Sequence, residues 1–294
     1  MSSVLTRHQR GPLSYLRGGS GPTLVLLHGL PGSAHSWARA ATLLAAQYDV
    51  ILPDLGGFGA SDELHEERYL DHELYLDAHA DAVHRLLDEL DVTTLFLGGH
   101  DFGGAVALAL YRLFPDLSMR GLVLSASFLV PDASLPLPLR LAETPVVGPM
   151  GLWLATGTRL GLNLLYRLAV QNRGTFRRAD FKRHLTPSAL RQTHRLFRHR
   201  LTGYTPPHAD TAALLSRLDV PTLALWGDSD PFCPVHAARR LVRALPNASL
   251  SIFEDTGHFV PEERPEMTAW HIDDFFRSQA PSEETTSNHQ RSSL

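Results

Sequence analysis

A single cysteine, Cys233, in a chain of 294 residues excludes an intrachain disulfide and any cysteine-rich metal site. Lysine is nearly missing too. Lys182 stands alone and arginine carries the remaining positive charge, a bias of GC-rich bacterial coding more than of chemistry. No apolar run reaches the ~20 residues needed to cross a bilayer. The opening Met1-Ser2-Ser3-Val4-Leu5-Thr6-Arg7-His8 lacks the apolar core of a signal peptide, so a cytoplasmic protein is expected. The 16 histidines are scattered without HExxH-like ligand spacing, and neither a metal nor a cofactor is expected. A formal net charge of -4 gives no reason to expect nucleic acid or a membrane as partner. The expected partner is a small-molecule substrate, and the oligomeric state is left open.

What the chain does contain is an alternation of short apolar runs with helical periodicity. Strands are expected at Thr23–His28, Tyr48–Pro53, Thr94–Gly98, Gly121–Ser125, Thr222–Trp226 and Ser249–Phe253. Continuous runs such as Leu24-Val25-Leu26-Leu27 suit strands buried on both faces. Leu74, Ala78, Ala82, Leu86 and Leu90 repeat at helical spacing, widened by Val83 and Leu87. Near the end, Pro265 suits a first helical turn, with Ile272, Phe275 and Phe276 as core candidates. Such alternation predicts an α/β fold with a doubly wound, mostly parallel sheet.

The alternation breaks after Ser125. The expected organisation is a core over 1–129, an inserted helical cap over 130–218, the second part of the core over 219–279 and a polar, disordered tail over 280–294. Within the insertion Arg173, Arg177, Arg178, Lys182, Arg183, Arg191, Arg195, Arg198 and Arg200 face only Asp180. A solvated helix face is the default reading of such a run; a lid that attracts anionic substrates is the functional one.

The chemistry concentrates in four loops that follow expected strands. Gly98-Gly99-His100-Asp101-Phe102-Gly103-Gly104 ends one strand and opens a small-residue helix at once. A turn this sharp needs small residues on both sides of its apex, and it thrusts Asp101 toward the positive end of the helix dipole. Further on come Trp226-Gly227-Asp228-Ser229-Asp230-Pro231 and then Asp255-Thr256-Gly257-His258-Phe259. Early in the chain, His28-Gly29-Leu30-Pro31-Gly32 follows the first expected parallel strand.

These motifs, in this order, resemble the α/β-hydrolase fold family, in the branch whose elbow carries aspartate in place of serine. The resemblance implies Asp101 as nucleophile, His258 as base and Asp230 as the supporting acid, with Asp228 as the alternative. It assigns the oxyanion hole to the backbone N–H groups of Leu30 and Phe102. His28 and His100 are read as holding loop geometry. No G-x-S-x-G occurs, so a serine esterase is a poor fit.

A carboxylate is ionised near neutral pH and can displace a leaving group at a saturated carbon, forming an ester that His258-activated water then cleaves. This chemistry implies an epoxide hydrolase first and a haloalkane dehalogenase as the alternative, with a silent binding protein of the same fold as a further one. Tyr166 and Tyr204 are the candidates to assist an epoxide oxygen, Trp37 and Trp153 to assist a halide. Phe102 stands where related dehalogenases carry a tryptophan or arginine donor.

Overall fold

The sequence from Leu24 to Leu27 is buried without a break, and so is most of Val50–Pro53, Leu95–His100 and Thr222–Gly227. Strands of this kind need cover on both faces. The computed structural model describes residues 5–64, 72–127, 129, 148–172, 174, 178–203 and 209–279. Its strands are β1 (Thr6–Arg10), β2 (Leu13–Gly19), β3 (Thr23–Leu27), β4 (Asp49–Pro53), β5 (Thr94–His100), β6 (Ser118–Ser125), β7 (Thr222–Gly227) and β8 (Ala248–Phe253). They form one eight-stranded sheet in the order β1-β2-β4-β3-β5-β6-β7-β8. The strands from β3 onward pair in parallel, whereas β2 runs antiparallel to both β1 and β4.

All six strands expected from apolar runs are present. The β1–β2 hairpin was not expected. The five residues of β1 are polar and exposed, so this edge strand carries no apolar alternation to read.

Helices cover both faces. On one side α2 (His72–Asp88) and α3 (Phe102–Leu113) pack on Val25, Leu27, Leu95 and Leu97, and α9 (Val235–Ala244) joins the same core against β7 and β8. On the other, α1 (Ala38–Leu44) and α11 (Pro265–Ser278) cover Leu24, Leu26, Val50 and Leu52. Ile272 and Phe276 enter that second core, with Phe275 packed at its edge. The short α10 (Val260–Glu263) precedes α11.

Between β6 and β7 lie α4 (Gly148–Thr156), α5 (Arg159–Ala169), α6 (Arg178–His184), α7 (Pro187–Gly203) and α8 (Ala209–Arg217). Their own core joins Leu152, Leu162, Leu165, Tyr166 and Phe181 to Phe259, a residue of the loop after β8. The inserted helices are therefore packed directly on the loop that carries His258. The stretch 130–147, expected to begin the cap, and 280–294, expected to be a disordered tail, lie outside the described residues.

Candidate active site

Asp101 sits between β5 and α3 with φ 49° and ψ −115°, a backbone conformation that costs an L-residue energy and recurs at functional turns. Close packing forces the turn. A Cβ on Gly99 would stand 2.3 Å from the Gly103 carbonyl oxygen, and one on Gly103 would stand 2.4 Å from that of Leu27. Only glycine at both positions lets the strand, the turn and α3 approach this closely.

The Asp101 carboxylate meets two different groups. The Leu30 N–H donates to its Oδ2 at 2.9 Å. His258 Nε2 stands 3.9 Å from its Oδ1, oriented toward the carboxylate beyond hydrogen-bond length. On the far side of the same ring, Nδ1 and Asp230 Oδ2 are 2.9 Å apart. The other Asp230 oxygen accepts the Phe232 and Cys233 N–H groups at 2.8 and 2.9 Å, which locks the carboxylate in place. All three side chains are buried. Asp228, the alternative acid, turns away and accepts from Thr256 N–H at 3.2 Å, which ties together the loops after β7 and β8.

Burial penalises a charged His258, but the Asp230 carboxylate, its hydrogen bond and the Asp101 charge outweigh that penalty and raise the imidazole above its ordinary pKa. The neighbouring histidines go the other way. His28 is driven down to about 4 and His100 to about 3, in both cases chiefly by burial. As neutral rings they hold the loops. His28 bridges the Gly29 carbonyl and the Leu55 N–H, while His100 Nε2 donates to the His258 carbonyl at 2.9 Å. The His258 N–H donates in turn to the Ala169 carbonyl at the end of α5.

The remaining sequence candidates separate. Trp37 is fully buried and its indole N–H donates to the Leu27 carbonyl at 2.9 Å, which removes it as a halide donor. Trp153 is half exposed on α4. Tyr166 stacks on Phe259 beside His258, but its hydroxyl donates to Glu262, so it is committed to a structural bond. Tyr204 lies outside the described residues. Phe102 opens α3, so its N–H is the one beside Asp101; its ring packs against Tyr75 and His79.

Sequence reasoning missed three buried groups. His79 lies beside Phe102 with neither ring nitrogen hydrogen-bonded among the described residues, and burial drives its pKa down to about 3. A histidine on the apolar stripe of α2 was the available signal. Glu262 joins Tyr166 and His184, and His184 is 2.9 Å from Ser33 of the Leu30 loop. Burial opposes the Glu262 charge, yet His184, Tyr166 and Ser36 hold its carboxyl below the ordinary range. Glu263 accepts the N–H groups of Gln171, Asn172 and Gly257 at 2.8 to 3.1 Å. Among the described residues one cluster has metal-ligand character: Asp230, Cys233 and His258 bring ligand atoms within 4.8 Å of one another. Asp230 and His258 are already joined there by their own hydrogen bond.

The profile of the alpha/beta hydrolase fold matches residues 22–265. Among proteins of known sequence, the uncharacterized hydrolase YugF of Bacillus subtilis (strain 168) is 30% identical over 260 residues, 87% of this chain and 90% of its own. The soluble epoxide hydrolase of Corynebacterium sp. (strain C12) is 28% identical over 288 residues, 91% of this chain and 96% of its own. Among solved structures, haloalkane dehalogenase DbeA from Bradyrhizobium elkani USDA94 aligns with a TM-score of 0.77 at 20% identity, covering 94% of this chain and 99% of that one, a likeness of fold. The family match runs from the strand before the Leu30 loop to the helix after His258 and so spans every element that carries the cluster. By that match the chain belongs to the α/β-hydrolase fold family of enzymes.

Proposed function

We propose that the protein is a hydrolase with Asp101 as nucleophile and that its substrate class is the epoxides, opened to diols. The observation that carries the reading is a carboxylate, in place of a hydroxyl, at the apex of the elbow, with Oδ2 on the Leu30 N–H and Oδ1 toward His258. Oδ1 attacks an epoxide carbon and the ring C–O bond breaks. The released oxygen takes a proton from a donor in the insertion. Tyr204 is the sequence candidate left for that role, because the Tyr166 hydroxyl is engaged by Glu262.

The product is a hydroxyalkyl ester on Asp101. His258, held by Asp230, takes a proton from water, and the hydroxide adds to the Asp101 carboxyl carbon. Negative charge then grows on Oδ2, where the Leu30 N–H already points, with the Phe102 N–H as the second donor. Collapse expels the diol oxygen, which takes the proton from His258; the Asp101 carboxyl then ionises and its proton restores the donor in the insertion.

In this reading α4 to α8 form a cap over the site, and the substrate is a small molecule handled without a cofactor. The soluble epoxide hydrolase relative supports epoxides. The haloalkane alternative loses support with Trp37, whose indole N–H is taken by Leu27.

The test is covalent trapping. His258→Ala incubated with a terminal epoxide is expected to accumulate an adduct of epoxide mass on Asp101, located by peptide mass spectrometry, while wild type releases diol. An adduct formed only from haloalkanes, with halide release, would shift the substrate to carbon–halogen compounds. Ester cleavage that survives Asp101→Ala, with no adduct from either class, overturns the mechanism.

A further inference from the structure

The α4–α5 pair carries an apolar surface that the fold leaves uncovered. Met150, Trp153 and Leu154 on α4, and Leu160, Leu164 and Leu168 on α5, are each more than half exposed, with Leu160 at 81%. The three leucines repeat every fourth residue and form one row along α5, while Leu162, Leu165, Tyr166 and Ala169 line its buried side. The two helices cross closely. A Cβ on Gly161 would stand 1.9 Å from the Leu154 carbonyl oxygen, which sets the exposed ends of the two helices side by side at Leu154 and Leu160. Contiguous apolar surface of this kind marks an interaction site.

Charge identifies the occupant. Between residues 148 and 203 the chain carries ten arginines and Lys182 against Asp180 alone, within a molecule of net charge -4. The modest overall charge thus averages over a basic insertion and an acidic remainder. Arg159 and Arg167 are exposed on α5 and, by helical spacing, flank the leucine row. On α4 and α5 the charged residues are Arg159 and Arg167, with no acidic residue beside them, so a second copy would set these arginines against each other. An anionic surface would not.

We propose that the α4–α5 face docks on anionic lipid bilayers. The leucines and Trp153 would enter the headgroup boundary, and the arginines would meet lipid phosphates. The opposite side of α5 holds the His258 loop through the Ala169 carbonyl, so the bilayer surface and the Asp101–His258 cluster lie on two sides of one helix. Docking is thus interfacial; among the described residues no helix is long and apolar enough to span a membrane.

The test is cosedimentation of the full chain with vesicles of phosphatidylcholine alone or with about one lipid in three replaced by phosphatidylglycerol. Binding is expected to the anionic vesicles, about tenfold weaker to the neutral ones and largely lost at about 0.5 M salt. Leu160→Asp/Leu164→Asp and Arg159→Glu/Arg167→Glu are each expected to weaken it about tenfold with an unchanged thermal melt, since all four side chains are exposed. Equal binding to both vesicle types, no binding, or variants that bind as wild type would overturn the proposal. So would sedimentation equilibrium showing a wild-type dimer that Leu160→Asp/Leu164→Asp converts to monomer, because the face would then be a contact between copies.

Discussion

The two oxygens of Asp101 are not equivalent, and that inequality sets the expected order of events. Oδ2 already accepts the Leu30 N–H, so in the proposed mechanism Oδ1 is the better nucleophile, and it is the oxygen that faces His258 Nε2. Alkylation removes the Asp101 charge, one of the influences that raise the His258 pKa, while the Asp230 charge and hydrogen bond remain. In the proposed mechanism, hydrolysis of the ester needs neutral His258. Its rate should therefore climb about tenfold per pH unit up to the pKa of His258 in the ester and level off above it. Asp230→Asn removes the charge that does most to raise that pKa, so the limb should move about one unit or more toward acid, with a lower plateau because the ring is held less well. Rapid-quench single turnovers across the neutral range would show this, and a limb that stays in place would remove Asp230 as the electrostatic partner. The family pattern puts the acid on Asp230 with Asp228 as the alternative. Their separation depends on which carboxylate the loop turns inward, and the Phe232 and Cys233 N–H groups decide it.

Among elements, the loop after β8 is shared between the core and the inserted helices. Ala169 and Glu263 hold it from two sides, and Phe259 is buried in the insertion's own core. Glu263 is fully buried and gathers N–H groups from the chain after α5 and from Gly257. Glu263→Gln keeps one acceptor oxygen but turns an NH2 toward donors. The expected cost is about 2–3 kcal/mol in urea unfolding, with turnover reduced because His258 is the next residue along. A variant as stable as wild type would mean that these contacts do not anchor the loop. None of this was readable in advance, because Glu262 and Glu263 stand as ordinary acidic residues at a helix start. What could be read were the strands and the elbow, whose requirements are local: unbroken apolar runs for β3 and β7, and glycines where backbones touch. The β1 strand has no apolar alternation to read, and the Tyr166–Glu262 bond depends on a partner distant in sequence. A tyrosine in the insertion looks the same whether its hydroxyl meets a substrate or a carboxylate.

At the scale of the whole molecule, the buried histidines couple the fold to pH. His28, at about 4, and His79 and His100, at about 3, lie far below the 6.5 of an unfolded histidine. Each is neutral in the folded state, while the unfolded chain takes up its proton below about pH 6.5. Folding stability should therefore fall as pH drops from about 6.5 toward 4, by about 1.4 kcal/mol per pH unit for each ring and about 4 for the three together. Two shifts act in the opposite sense. His258 is raised, so its contribution is complete below the unfolded pKa and is lost only as pH rises through its own folded value. Glu263 is raised by burial and gains a proton in the folded state on the acid side, which offsets part of the loss. Urea midpoints measured between about pH 6.5 and 5 should show the steep decline, and it should be fully reversible if protonation of the unfolded chain is its cause. His79→Leu isolates one ring: with no bonded nitrogen to lose among the described residues, it should cut the slope by about a third and raise stability at the acid end. A stability curve that stays flat through this range, or a His79→Leu slope equal to wild type, would mean that these rings find protons or water that the fold as described does not give them.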